Sequence, residues 1–392
     1  MAVLDAEHDA SAPESGGVPA APSHWTDRFW HARDRLLASR RFQRWAGSFP
    51  LTRSISHRRA GALFDLVAGF AYSQTLLACV RLGLFEFLFE RARSLDEVAR
   101  HTRLEPAAAE RLLAAAIALR LVARRHGGRY GLGEIGAPLV GNAAVRALIE
   151  HHDAFYADLA DPVALLRGRA QPTQLAAWWP YAQATQPREL AAQDVAAYST
   201  LMSASQPLVA DDILQAYPLH KHRWLLDVGG GEGCFLASAL QSAPQLKGTL
   251  FDLPAVVERA RSRWSGEAVL SRLQFAGGDF LRDPLPRGPD IVTLVRVVHD
   301  HDDAVVLSLL RAVHAALPQE GTLLVAEPMA QTGGAQAMGD AYFGLYLWAM
   351  GQGRARTPQA LEMLLRSAGF EHVRLRRSPE PLLTRVLVAR KT

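Results

Sequence analysis

The chain has 392 residues, 49% hydrophobic and 21% charged, with a formal net charge of +4. That length suits about two domains and that apolar content a large core, which excludes general disorder. Apolar runs short of the roughly 20 residues of a membrane span, no signal segment at the start, and two distant cysteines, Cys79 and Cys234, predict a reducing, cytoplasmic setting.

Residues 1–23 are small, polar and Pro/Gly-rich and are expected to form a disordered tail. Between Trp25 and Ala60, nine arginines outnumber two acids, Asp27 and Asp34, and interleave with Trp25, Phe29, Trp30, Phe42, Trp45 and Phe49. The mixture suits anionic lipid headgroups or an acidic partner, and equally a solvated helix face packing its aromatics on its own domain. From Gly61 to Glu90 the pattern "ALFDLVAGFAYSQTLLACVRLGLFEFL" is helical and apolar on more than one face. It predicts burial, with a subunit interface as the natural partner.

Ser94 followed by Glu97 is a capping box that starts a short helix. A break at Thr102–Leu104 leads to a second helix from Pro106, where proline suits the first turn. "RRHGGRYGL" then reads as a hairpin turning at Gly127–Gly128. The outline is that of a winged helix, which allows DNA binding. The would-be recognition helix, Pro106 to Leu119, carries only Arg111 as a cation before Arg120 and is mostly alanine and leucine. That composition indicates core or dimer contact, and no nucleic acid is expected.

Residues from about 145 to 215 read as helical, with breaks at Pro162, Pro172, Pro180 and Pro187, and would cover a pocket. From Arg223 the texture changes to "WLLDVGG", "GTLFDLP", "LQFAGGDF", "DIVTLVRVVH", "GTLLVAEP", "HVRLRR" and "RVLVARK". Apolar strands between helical stretches predict a doubly wound, mostly parallel sheet. The expected division is a tail over 1–23, a basic-aromatic segment over 24–60, a helical domain over 61–199 and a catalytic domain over 200–392.

The loop "LLDVGGGEG" does not meet the dinucleotide rule of G-x-G-x-x-G: counted from Gly229, the third position is Cys234. The pattern that fits is Asp227-x-Gly229-x-Gly231-x-Gly233. A carboxylate inside that loop would repel a pyrophosphate but attract a ligand bearing an ammonium and a sulfonium. The glycines let backbone approach the ligand, and S-adenosylmethionine is favoured over NAD. Asp252 in "FDLP" ends the next strand, where an acid accepts from ribose hydroxyls. Asp279 and Phe280 in "GGDF" end the third, placed to bind and cover an adenine. Each acid alone could be a turn residue or a helix cap; three at successive strand ends point to one ligand.

The fourth strand ends in "HDHDD". His299 at the carboxyl edge of a parallel sheet faces the ligand crevice, and its ordinary pKa suits proton abstraction. Asp300 follows it, and Glu327 in "VAEP" could orient its ring. His299 and His301 lack the spacing and the cysteines of a metal site, so no metal is expected.

With these residues assembled, the chain resembles the two-domain S-adenosylmethionine-dependent small-molecule O-methyltransferases, through "LLDVGGGEG", "FDLP", "GGDF" and "VRVVHDHDD" in order. The resemblance implies an α/β, Rossmann-like class I methyltransferase domain, a doubly wound, mostly parallel seven-stranded sheet. A mainly helical winged-helix dimerisation domain precedes it, and the assembly is a homodimer. It also implies that Gly229 and Gly231 lie against the cofactor, Asp252 and Leu253 at the ribose, Asp279 and Phe280 at the adenine, and Arg296 nearby. His299 takes the base position and Glu327 that of the first flanking acid. The second flanking acid is replaced by Ala355 in "GRART", so orientation of the histidine falls to Glu327 or Asp300. Within the family, "FWHARDRLLASRRFQRWAGSFPLTR" and "YADLADPVALLRG" resemble the carotenoid-modifying enzymes of purple photosynthetic bacteria. These act on the tertiary 1-hydroxyl of acyclic carotenoids such as demethylspheroidene or hydroxyneurosporene. That implies a hydrophobic hydroxylated substrate and a place at the periphery of the photosynthetic membrane. A tetrapyrrole C-methyltransferase, a phenol or polyketide O-methyltransferase and an S-adenosylmethionine-sensing regulator remain open. His151, His152, Tyr156, Met202, Tyr342 and Met350 are candidate pocket liners.

Overall fold

The computed structural model describes residues 24–169, 172–179, 196–379 and 384–392. The tail expected over 1–23 and the breaks expected at Pro180 and Pro187 lie outside them. The chain divides after Gln74 into two compact units.

The first unit holds α1 (His24–Ala38), α2 (Arg40–Ser48) and most of α3 (Pro50–Arg81). Ser39 caps α2 by accepting from the Phe42 N–H at 3.5 Å. Phe49 is extended, which ends α2, and Pro50 opens α3 at the position where its missing N–H costs nothing. Two expectations are corrected here. The helix expected from Gly61 begins eleven residues earlier, since no breaker separates 50 from 61. An apolar stretch of spanning length does exist: an 18-residue window of α3 has a mean hydropathy of 1.5, the polar residues within it being too sparse to lower the average. Only 17% of that window is buried. Leu63, Phe64, Leu66, Val67 and Phe70 stay exposed, because apolar side chains surround the helix and no single neighbour can cover every face.

In the second unit, α4 (Leu84–Glu90), α5 (Leu95–Thr102) and α6 (Pro106–Ala118) precede a hairpin of β1 (Val122–Arg124) and β2 (Tyr130–Leu132). The capping box forms as expected: the Glu97 N–H donates to Ser94 Oγ at 3.3 Å and the Ser94 N–H to Glu97 Oε2 at 2.8 Å. Gly127 and Gly128 both take positive φ, which makes the expected turn. The apolar face of α6, Ala109, Leu113 and Ala116, is buried, with Leu113 and Ala116 in one cluster with Cys79, Leu84, Phe85 and Val98. Helices α7 (Ala143–Asp158), α8 (Pro162–Leu166), α9 (Gln174–Trp178), α10 (Ala196–Ser205) and α11 (Pro207–Ala216) follow.

All seven strands expected from the sequence form one sheet, in the order β5-β4-β3-β6-β7-β9-β8. They are β3 (Trp224–Val228), β4 (Lys247–Asp252), β5 (Leu273–Gly277), β6 (Ile291–Val295), β7 (Thr322–Glu327), β8 (Phe370–Leu375) and β9 (Arg385–Lys391). The first five are parallel; β9 runs antiparallel to β7 and β8. Residues of β3 and β6 are apolar on both faces because helices cover both. Leu226, Val292 and Leu294 enter one core with α14 (Asp303–Ala316) and α15 (Pro358–Ser367); Leu225, Ile291 and Val295 enter the other with α11 and α12 (Cys234–Ser242). The strand order reverses between β3 and β6, which opens a crevice at their carboxyl ends.

Replacing Ser94 with alanine leaves the Glu97 N–H without its acceptor. We expect a loss of about 1 kcal/mol in a urea unfolding curve, and an unchanged midpoint would show that the cap carries no stability.

Candidate active site

The crevice is a cavity of about 420 Å³, within the ordinary size of cofactor pockets. Its walls include Gly229, Gly231, Asp252, Leu253, Asp279, Phe280, Arg296 and Asp300. These are eight of the eleven residues singled out in the sequence; Asp227, His299 and Glu327 stand behind them.

Strand register places Asp227. It lies beside Thr293 across the β3–β6 pairing, and Thr293 Oγ1 donates to its Oδ1 at 2.6 Å. Its Oδ2 has no hydrogen-bond partner among the described residues, and burial raises its pKa to about 7. A Cβ on Gly230 would sit 2.4 Å from that Oδ2 and 2.5 Å from Leu250 Cδ1. The glycine that the motif spacing treats as variable is therefore the one with the least room for a side chain, tighter even than Gly229, whose Cβ would lie 2.8 Å from Val297 Cγ2. Asp227 is fully buried beneath the glycine loop and is not among the residues that line the cavity.

Asp252 shapes the same loop from β4. The Gly231 N–H donates to its Oδ2 at 2.8 Å and the Leu253 N–H to its Oδ1 at 2.7 Å. Burial outweighs these bonds and raises its pKa to about 6. Each oxygen keeps a further lone pair for a donor in the cavity. Asp279 is 6% exposed, accepts from the Leu281 N–H at 2.9 Å and likewise faces the cavity. Phe280 stands edge-to-face with His301, another cavity residue, with centroids 5.5 Å apart.

Arg296 follows β6 with φ 58°, the left-handed region that a non-glycine residue enters at a cost of about 1–2 kcal/mol. The twist sends its guanidinium to α10, where it donates to Ser205 Oγ at 2.8 Å and approaches Met202 Sδ at 3.2 Å. Glu232, which the sequence reading did not select, accepts from Ser203 on α10 at 2.9 Å and from Arg259 at 2.6 Å and Arg263 at 3.0 Å, both on α13 (Pro254–Arg263). The only signal for Glu232 is its place inside "GGGEG", since its partners come from distant segments.

Behind Asp300 lies a buried array. Glu327 Oε1 accepts from the N–H groups of Val297 (2.9 Å) and Val298 (2.6 Å), and its Oε2 holds His299 Nδ1. His299 Nε2 stands 3.2 Å from Asp300 Oδ1. Burial opposes a charged ring, but the carboxylates of Asp300 and Glu327 outweigh it, and the His299 pKa is raised above 6.5. Each ring nitrogen therefore has a carboxyl group beside it, Nδ1 that of Glu327 and Nε2 that of Asp300.

Ala355 brings no carboxylate, and its neighbours do different work. The Arg354 N–H donates to the His299 carbonyl at 2.8 Å. Arg356, 3% exposed, donates to the carbonyls of Val298 at 2.8 Å and His301 at 2.6 Å. Gly353 at φ +80° permits this approach, since a Cβ there would lie 2.2 Å from the His299 oxygen. The segment thus clamps the backbone of the histidine turn. Of the candidate pocket liners, Met202 faces the cavity and Met350 is core. His151 Nε2 pairs with Tyr346 OH at 2.7 Å and His152 Nε2 with Tyr342 OH at 2.9 Å. Tyr156 is half-buried on α7.

A glycine cradle, carboxylates at successive strand ends and an imidazole beside them define a class I methyltransferase site, and the cavity fits S-adenosylmethionine. Comparison with known proteins agrees. An O-methyltransferase domain profile matches residues 156–371, and an O-methyltransferase dimerisation domain profile matches 64–142. Demethylspheroidene O-methyltransferase of Cereibacter sphaeroides is 40% identical over 345 residues, 87% of this chain and 89% of that one. The enzyme of the same name from Rhodobacter capsulatus is 40% identical over 360 residues, 91% and 88%. Human N-acetylserotonin methyltransferase, solved in complex with S-adenosylmethionine, superposes with a TM-score of 0.71 at 25% identity, covering 85% of this chain and 97% of that one. The chain belongs to the O-methyltransferase family: it is an S-adenosylmethionine-dependent O-methyltransferase with a dimerisation domain, acting on a small molecule.

Asp252→Ala removes the acceptor that fixes Gly231 and faces the cavity. Titration calorimetry is expected to show S-adenosylmethionine binding at least tenfold weaker; an unchanged dissociation constant would remove Asp252 from cofactor binding.

Proposed function

We propose that the protein methylates the tertiary 1-hydroxyl of an acyclic carotenoid, with His299 as general base, in a homodimer whose residues 61–199 serve assembly and 200–392 the chemistry. The observation that carries the chemistry is the buried Glu327–His299–Asp300 array, which meets the cavity at Asp300. The carotenoid reading rests on relatives at 40% identity that are named for demethylspheroidene.

S-adenosylmethionine supplies a methyl group made electrophilic by its sulfonium. Gly229, Gly231, Asp252, Leu253, Asp279 and Phe280 would hold it, and the chain's own groups do the rest. Holding two reactants in line is worth roughly 7–11 kcal/mol of barrier. Glu327 keeps the Nδ1–H of neutral His299 engaged, which leaves Nε2 to take the hydroxyl proton as the C–O bond forms. Asp300 then stabilises the imidazolium that results. A tertiary alcohol is a far weaker acid than a phenol, so a histidine whose pKa is raised by two carboxylates is the better base for it. The same raised pKa means that His299 must first lose its own proton, and activity should climb with pH.

His299→Ala is expected to lower methyl transfer by about 10²–10⁴-fold with cofactor affinity unchanged by calorimetry; activity within tenfold of the parent would take the base role from it. The pH profile of kcat is expected to rise along an acid limb with its midpoint above 6.5. Glu327→Gln removes one of the charges that raise the pKa, so that midpoint should move down; a midpoint that stays or rises would assign the limb to another group. Labelled methyl recovered on oxygen of a hydroxylated carotenoid, and not on a phenol or a bacteriochlorophyllide, tests the substrate.

A further inference from the structure

The helices before α3's apolar half have no part in the site, and they carry a combination that a water-facing surface does not need. Trp25, Phe29, Trp30, Leu36, Trp45, Phe49, Leu51 and Ile55 are each at least 39% exposed, and of residues 25–60 only Ala46 is buried. Along α2 and its C-terminal cap, Phe42, Trp45 and Phe49 form one row of rings, with centroids 5.6 Å and 5.0 Å apart. On α1, Arg33 lies over the Trp30 ring at 4.3 Å. Contiguous exposed apolar surface of this kind marks an interaction site.

The charge selects the occupant. Nine arginines against two acids give residues 25–60 a net +7 with His neutral, and among the described residues of this stretch the ion pair shown is Arg33–Asp34, at 2.7 Å. A second copy of the same segment would bring like charge to like charge. The dimerisation profile begins at residue 64, beyond these helices. A helix of nine residues is about 14 Å long and α2 holds Arg40, Arg41 and Arg44, so it cannot cross a bilayer but can lie along one. Aromatic rings at headgroup depth with arginines beside them are the signature of an in-plane anchor on anionic lipid.

We propose that α1, α2 and the first turns of α3 bind the surface of an anionic bilayer, lying in its plane, with the row Phe42–Trp45–Phe49 inserted and Arg40, Arg41 and Arg44 on the lipid phosphates. The inference is independent of which hydroxyl the enzyme methylates, and the test reads binding alone.

Full-length protein is floated with vesicles of phosphatidylcholine, or of phosphatidylcholine with phosphatidylglycerol. Flotation is expected with the anionic vesicles only, and it should vanish at about 1 M salt, where charges are screened within about 3 Å. Reversal of Arg40, Arg41 and Arg44 to glutamate is expected to lower partitioning about a hundredfold. Trp45→Ala with Phe49→Ala should lower it at least tenfold, both variants keeping the parental S-adenosylmethionine affinity. Absence of flotation, equal flotation on neutral vesicles, or salt-insensitive binding by the wild-type protein would overturn the proposal. So would resistance to carbonate extraction, which would make α3 a spanning helix. If Trp45→Ala with Phe49→Ala split the dimer in sedimentation and left flotation intact, the face would be a subunit contact instead.

Discussion

One buried carboxylate organises the catalytic end of the molecule. Glu327 ends β7, is 1% exposed, and receives two backbone N–H groups and one imidazole from the turn that follows β6. A buried anion without such donors would be costly, and donors without the anion would be orphaned in turn. The turn can therefore adopt only the path that delivers Val297, Val298 and His299 together. Arg356 closes the same turn from the other side through its carbonyls. Between them the turn becomes a fixed mount for His299.

The cofactor side follows a related logic. Its loop bends over a buried carboxyl that lacks room for anything larger than a hydrogen at Gly230. A second carboxylate, Asp252, holds the Gly231 N–H of the loop and the Leu253 N–H beside it. Helix α10 is drawn in by two separate attachments, Glu232 through Ser203 and Arg296 through Ser205. The left-handed backbone at Arg296 is intelligible in this light, because an ordinary φ would point the guanidinium elsewhere. The cofactor pocket and His299 are joined by the four residues Arg296–His299, so whatever orders α10 also bears on the turn that carries His299.

The first unit obeys a different constraint. Its helices are set by local signals, Ser39 as a cap and Pro50 as a start, and not by burial. Their apolar side chains remain outside, which is the reverse of the second unit, where the sheet is enclosed on both faces. A chain that encloses one part and leaves another uncovered presents surfaces to partners, and charge sorts which surface meets which partner.

How much of this was legible beforehand depends on the range of the interactions involved. The seven strands, the capping box at Ser94, the turn at Gly127–Gly128 and the strand-end positions of Asp252, Asp279 and His299 are properties of a few neighbouring residues. Periodicity, glycine and capping chemistry act over that range, so the sequence by itself determined them, and with them the class of fold and ligand. Tertiary structure decided the rest: that Asp227 is fully buried, that Glu232 is a junction, that Ala355 sits in a segment of clamping arginines, and that His299 lies between two carboxyl groups. Each of those depends on groups tens or hundreds of residues apart meeting at one depth, where desolvation turns a weak attraction into a binding constraint. No local pattern encodes that depth.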